Sequence, residues 1–487
     1  MSANKKISLP ILLRIQGFLL LIEGLFMLAV VPVTYFHHGI NAFSIPFSAL
    51  ITVLTGFILC FSTRRRKGQR ITPQEGVLTI SLSWVFLSVF GGLPFLLSKS
   101  VPNFTDAFFE ALSGFTTTGA SVLTHLEFVP KDILLWRSLT QWIGGFAIIV
   151  FPVVLIPFLS VGGMQLFMTE MNGINYDKLH PRTMHTAKRL WGLYVLFTLL
   201  EAVLLSFGDM DWFDAVCHSL TTISSGGFST KTDSLAGYSS YSQIVVTFFM
   251  ALSGCNFTLL LITLVRNPLA LFKNEEFKHF VITIFVVSVA LALVLIFGVK
   301  LTVSESLRSS FFSVVSTLST TGFFVTDYTV WPTGLWVVLM VLMFIGACSG
   351  STSGGIKMIR HLIFVKNAWL DLKRIIHPNA VIPVKINKKS ISNGVIFKTL
   401  TFVFVYFFLV VGGTLLLLTL GIDFNTSIGA SMATLSNLGT GVGSVGPYGT
   451  YAFLPQTAKW ILSLFMLLGR VEVFTLITIF TKNFWSN

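Results

Sequence analysis

The 487-residue chain is 53% hydrophobic and only 11% charged, with a formal net charge of +13 and a mean hydropathy of +0.81. A soluble domain carries roughly 25% charged residues, so a water-soluble enzyme is excluded and lipid must cover much of the surface. The basic residues sit between apolar runs, which argues against a nucleic-acid partner, and the four cysteines and nine histidines lack the spacing of a zinc site or a disulfide framework.

Ten apolar segments follow in chain order, near 10–35, 43–62, 75–98, 133–159, 190–208, 241–265, 279–299, 333–364, 395–420 and 455–482. Each can cross a hydrocarbon core of about 30 Å at about 1.5 Å per residue. The first follows Lys5 and Lys6 and contains Arg14. It is longer than a signal-peptide core of about 7–15 residues and lacks a small-residue cleavage site, so it reads as a retained transmembrane helix. With the N-terminus in the cytoplasm, most of the 33 Lys and Arg residues fall inside. Among them are Arg64 to Lys67, Lys188, Arg189 and the stretch from Lys357 through Lys398, as the positive-inside rule requires. More than half of the 20 acidic residues, Asp106, Glu110, Asp132, Asp214 and Asp423 among them, fall outside. They suit either ordinary polar loops or a negative mouth that gathers cations.

Four outer connections hold a segment too short to span: DAFFEALSGFTTTG at 106–119, DAVCHSLTTISSGG at 214–227, SSFFSVVSTLSTTG at 309–322 and TSIGASMATLSNLG at 426–439. They align without a gap. Each opens on a residue suited to cap a helix, runs through hydroxyl or amide residues and ends in glycine. Two spans separate each from the next, so the unit is span, short helix, glycine-ended loop, span, repeated four times. The units are 71–189, 190–278, 279–392 and 393–487, with two extra spans in 1–70. The fold class is therefore all-α and polytopic, with four helix–pore helix–helix units around a central pore.

A re-entrant loop is tolerated at membrane depth only where protein buries it or water meets it. Glycine lets the backbone turn left-handed and approach a ligand closely. Four such loops around an axis would present rings of carbonyl oxygens that replace a cation's hydration shell, and the negative ends of the short helices would favour that charge. The candidate filter residues are Thr116, Thr117, Thr118 and Gly119; Ser224, Ser225, Gly226 and Gly227; Ser319, Thr320, Thr321 and Gly322; and Ser436, Asn437, Leu438 and Gly439. In the second loop Gly227 keeps the register and precedes Phe228, as Gly322 precedes Phe323. In the segment 333–364, Gly346, Ser349, Gly350, Ser351, Thr352, Ser353, Gly354 and Gly355 would break the span. Arg470 lies within the last span, where a charge costs at least ~2.5 kcal/mol and needs a partner, pore water or an ion site. Glu472, two residues on, does not face it on a helix.

These residues resemble the Trk/Ktr/HKT superfamily of potassium transporters, and the two extra N-terminal spans resemble its TrkH/TrkG branch. GFTTTGAS at 114–121 is similar to the first filter loop of that branch, GACSGSTSGGIK at 346–357 to its glycine-rich break, and LLGRVEVFT at 467–475 to its final inner helix. The fourth loop departs from the pattern, with Thr440 where the branch often has proline. The resemblance implies potassium as the transported ion, and Gly119 favours it, since sodium-preferring plant members carry serine there. It also implies a mobile gate over 346–355, a flux barrier at Arg470, a homodimer with one pore per subunit, and a TrkA-type cytosolic nucleotide-binding regulatory subunit. The location implied is the bacterial inner membrane. Passive flow and symport both fit these residues. The alternative is a secondary transporter of another cation or a small solute. Such a protein would need a midplane pocket between broken helices, whereas the irregular segments here recur four times near one face.

Overall fold

The computed structural model describes residues 8–36, 43–62, 72–155, 183–380 and 382–485. The basic run Arg64 to Lys67, with Lys5 and Lys6, lies outside them. Among the described residues the fold is all-α and polytopic, save for one hairpin of Lys385–Ile386 against Lys389–Ser390. Six helices are long and apolar enough to cross a membrane, and two bent helix pairs join them as further spans.

The first two helices, Leu9–Phe36 and Ser44–Ser62, pack against each other at glycine. A Cβ on Gly17 would lie 2.8 Å from the Gly56 carbonyl, and one on Gly56 would lie 2.9 Å from the Gly17 carbonyl. Small residues allow this close crossing where no hydrophobic force drives helices together in lipid. The opposite faces expose Phe18, Leu25, Leu50 and Phe57. In water such a surface would aggregate; in hydrocarbon it is the solvated face.

Four units follow. The first comprises Pro73–Gly91 with a short continuation Leu93–Leu97, then Phe104–Phe115 and Lys131–Leu155. Thr72 and Glu75 close a capping box, with proline at the first helical turn. The second has Thr183–Ser206, Trp212–Ile223 and a bent inner helix, Ser240–Ser253 with Phe257–Val265. The third has Glu275–Val294, Val303–Leu318 and the pair Thr333–Phe344 and Met358–Ile376. The fourth has Asn393–Thr419, Phe424–Leu435, then Gln456–Arg470 with Val473–Ile479.

Two of the expected spans are sharply bent. The segment 241–265 turns by 98° at 254–256, and 455–482 turns by 116° after Arg470. At the first break Gly254 caps one helix and the Asn256 side chain, accepting from the Leu259 amide, starts the next. At the second, Glu472 has φ 67°, which no helix accommodates. In the third unit the chain leaves the helix at Ile345 and re-enters at Met358.

The short helices begin earlier than the repeat suggests. Asn103, Asp211, Thr302 and Asp423 accept the capping amide. The residues that open the 14-residue segments lie inside the first turns, or two turns in for the third. A capping side chain must point back at the free amides of the first turn, and in each unit a polar residue further upstream does so. The Thr426 amide, bonded to Asp423, holds that carboxyl below its ordinary range.

Candidate ion pathway

All four short helices end alike. Thr116, Ser224, Ser319 and Ser436 are their C-caps. The next residues, Thr117, Ser225, Thr320 and Asn437, are left-handed, with φ of 51°, 56°, 53° and 55°. Their amides donate back to the carbonyls of Gly114, Thr222, Thr317 and Thr434. The following amides, of Thr118, Gly226, Thr321 and Leu438, donate to Ser113, Thr221, Ser316 and Ala433. This double closure is the Schellman motif. Gly119, Gly227, Gly322 and Gly439 then return to positive φ, at 81°, 75°, 83° and 80°. The residues between do not. Such alternation turns successive carbonyls towards one side, the backbone shape that a carbonyl-lined filter requires.

The loops also touch in a closed cycle. A Cβ on Gly119 would lie 2.2 Å from the Gly226 oxygen, and one on Gly227 would lie 1.8 Å from that of Thr321. On Gly322 it would lie 2.0 Å from the Leu438 oxygen, and on Gly439 2.4 Å from that of Thr118. The first loop thus abuts the second, the second the third, the third the fourth, and the fourth the first. Four segments spread over more than 300 residues of sequence make one ring.

Hydroxyls pin the ring from behind. Thr116 bonds Thr118 at 2.7 Å, and Ser319 bonds Thr321 at 2.7 Å. Ser224 and Ser436 bond helix carbonyls of Leu220 and Met432. Among the described residues, the buried oxygens Thr117 Oγ1 and Asn437 Oδ1 have no hydrogen-bond partner. They sit at the same register as Ser225 and Thr320, and Asn437 Oδ1 lies 3.0 Å and 2.7 Å from where Cβ atoms on Gly354 and Gly469 would sit.

The glycine-rich segment runs directly under this ring. Thr352 Oγ1 lies 2.7 Å from Ser225 Oγ, and the Gly354 amide donates to Thr320 Oγ1 at 2.7 Å. A Cβ on Gly354 would lie 2.3 Å from the Ser436 carbonyl. Gly350 and Gly355 have positive φ. Ser351 Oγ bonds Ser353 Oγ, and Gly346 donates to the Ile356 carbonyl, so the segment is folded upon itself. It also fills the break in the second unit: Cys348 donates to Gly254, and Phe257 to Gly350. Glu276 fastens it from the side, accepting from the Ser349 amide at 2.7 Å and the Ile359 amide at 3.2 Å.

Arg470 meets the same segment. Its guanidinium donates to the Thr352 carbonyl at 2.9 Å and the Gly144 carbonyl at 3.1 Å, and lies over Trp84. Among the described residues no carboxylate pairs with it. Glu472 instead pairs with Arg360 at 3.0 Å.

Of the outer acidic residues, several are buried and paired. Glu110 binds Arg137 at 2.7 Å, and Asp106 binds Lys459 at 2.6 Å. Asp132 accepts from Thr34. These three brace the scaffold and do not line an open mouth.

Sequence reasoning missed Gln141. This buried side chain donates to the Gly226 carbonyl at 2.8 Å and accepts from the Phe228 amide at 3.0 Å, so it clamps the second loop. The one signal was an amide inside an apolar run. It also missed Glu276, and Tyr328 and Tyr451, whose hydroxyls donate to the Gly441 and Gly439 carbonyls, both at 2.7 Å.

Fold and ring together define a class: a polytopic α-helical membrane protein with four pore-loop units about one centre. Over residues 44–487 the chain matches the TrkH family, described as cation transport protein, and it belongs to that family. It is 40% identical over 441 residues to the Trk system potassium uptake protein TrkH of Escherichia coli strain K12, covering 89% of this chain and 90% of that protein. It is 32% identical over 483 residues to TrkG of the same organism, with 97% of each covered. Its fold matches the crystal structure of the potassium transporter TrkH from Vibrio parahaemolyticus with a TM-score of 0.89 at 33% identity, over 98% of this chain and all of that one. The relatives are named as uptake proteins, in line with a transporter and not an enzyme.

Proposed function

We propose that this protein takes up potassium across the bacterial inner membrane through the ring of four loops. The observation that carries the reading is the closed cycle of contacts, with two left-handed residues at matching positions in every loop. A ring so built holds carbonyls at fixed spacing, which suits an ion that sheds its water on entry. The names of the relatives supply potassium as the cargo.

The segment 346–355 is the gate in this reading, and Arg470 is its latch. While Arg470 holds the Thr352 carbonyl, the segment lies across the inner end of the ring. Opening requires that these bonds exchange for others. The N-terminus is cytoplasmic, so the gate faces the cell interior, beside the basic stretch from Lys357 to Lys398. That stretch is the docking side for a TrkA-type nucleotide-binding subunit, and the protein works as a homodimer with one pore per subunit. The four units lie behind an N-terminal pair in 1–70 and open on the helices Pro73–Gly91, Thr183–Ser206, Glu275–Val294 and Asn393–Thr419.

The test is growth of a potassium-uptake-deficient bacterium at low potassium with the cytosolic partner present. The chain restores growth, and Gly119→Ser or Gly322→Ser abolishes it. Failure of the wild-type chain to rescue, despite expression in the membrane, would overturn the proposal.

A further inference from the structure

The ring is fourfold in backbone but not in what binds its glycine carbonyls. Among the described residues, no side chain donates to the carbonyls of Gly119 or Gly227. The Gly322 carbonyl accepts a bond from the Thr440 hydroxyl, and the Gly439 carbonyl one from Tyr451 Oη. Thr440 stands at the seam between the third and fourth loops. Its Oγ1 lies 3.3 Å from where a Gly322 Cβ would sit, while its own amide donates to Leu438 at 3.0 Å. The hydroxyl therefore crosses from one loop to a filter-glycine carbonyl of its neighbour; among the described residues the first-to-second and fourth-to-first seams carry different bonds, Gln141 Nε2 to the Gly226 carbonyl and Asn437 Nδ2 to Thr118 Oγ1.

We propose that Thr440 is a selectivity-determining residue, acting by engaging the Gly322 carbonyl. This rests on the filter reading above. A carbonyl oxygen that already accepts an O–H bond has less electron density for a cation and less freedom to move towards it. Both effects weaken its grip on a small ion more than on a large one, because a small ion needs strong, closely approaching ligands to replace its tightly held water. Freeing the carbonyl raises its field and its mobility, so the ring accommodates sodium better. Thr440 acts through Gly322 and is a positioning residue.

The experiment compares potassium and sodium uptake by cells carrying the full chain, with expression checked in the membrane. Thr440→Val lowers the potassium-to-sodium preference about two- to tenfold, the worth of one hydrogen bond, while Thr440→Ser keeps it. Thr440→Ala serves as a second, smaller variant and behaves like Thr440→Val. Wild-type preference in both Thr440→Val and Thr440→Ala overturns the proposal, as does loss of preference in Thr440→Ser equal to that in Thr440→Val. Gly322→Ala separates the two claims. Full, selective uptake by that variant overturns the filter reading itself, whereas its loss alongside unchanged Thr440 variants overturns only the role of Thr440.

Discussion

At Gly227 two constraints coincide. Its φ of 75° disfavours any residue with a Cβ, and the Thr321 carbonyl occupies the space that a Cβ would need. Its neighbour Gly226 lacks positive φ, and the atoms nearest to a Cβ there belong to the side chain of Gln141. Left-handed geometry alone costs roughly 1–2 kcal/mol. Gly227→Ala is therefore expected to abolish uptake, whereas Gly226→Ala retains a measurable part of it; equal loss in both would contradict this reading. Arg470→Ala removes two charge-assisted bonds, each worth about 1.5–3 kcal/mol, and leaves the segment beneath the ring unlatched. Basal cation flux in liposomes rises about tenfold or more, and unchanged flux would refute the latch. Much at this scale was legible in the sequence. The repeat register chose Gly227 over Gly226, and Arg470 stood out as a charge in a span. Gln141 did not, because its partner lies 85 residues away and hydropathy carries no information on such a contact. The Arg470 partners were illegible for a related reason: they are backbone carbonyls, which have no residue identity.

Among the elements, the segment 346–357 is held by groups from three units, and Glu276 is the acidic one. Its carboxylate accepts the Ser349 amide within the segment and the Ile359 amide in the first turn of the helix that follows it. Glu276→Ala leaves both amides unpaired. The buried thiol of Cys348 reports on the outcome. In a background with Cys60, Cys217 and Cys255 changed to serine, alkylation of Cys348 speeds up at least about tenfold in Glu276→Ala. No acceleration would show that the segment is fixed without it. A second anchor ties the first short helix to the last inner helix, Asp106 to Lys459. Removing one partner of a buried pair costs about 3–5 kcal/mol, so Asp106→Asn lowers the thermal midpoint in detergent, and Asp106→Asn with Lys459→Met recovers part of the loss. An unchanged midpoint in Asp106→Asn would contradict the anchor. Hydropathy showed the helices and roughly where they lie. It did not show the bends after Ser253 and Arg470. One glycine, or one left-handed glutamate, breaks a helix only where other chain segments take up the freed backbone groups, here Cys348 on Gly254 and Phe257 on Gly350.

In the whole molecule, four copies of one supersecondary unit surround one centre, and the chain's fold matches that of the TrkH crystal structure. Repetition explains why the architecture was readable: a gapless register recurring four times is a property of sequence alone. The order of contact around the ring was not readable, because it depends on packing between units. We propose that these four loops form a single cation pathway. The most direct measurement is potassium and sodium flux into liposomes containing the purified protein, with alanine placed in turn at Gly119, Gly227, Gly322 and Gly439. Potassium flux that exceeds sodium flux in the wild type, and is lost in all four variants, is the result predicted. Selective flux that survives alanine in any one of the four loops would contradict it.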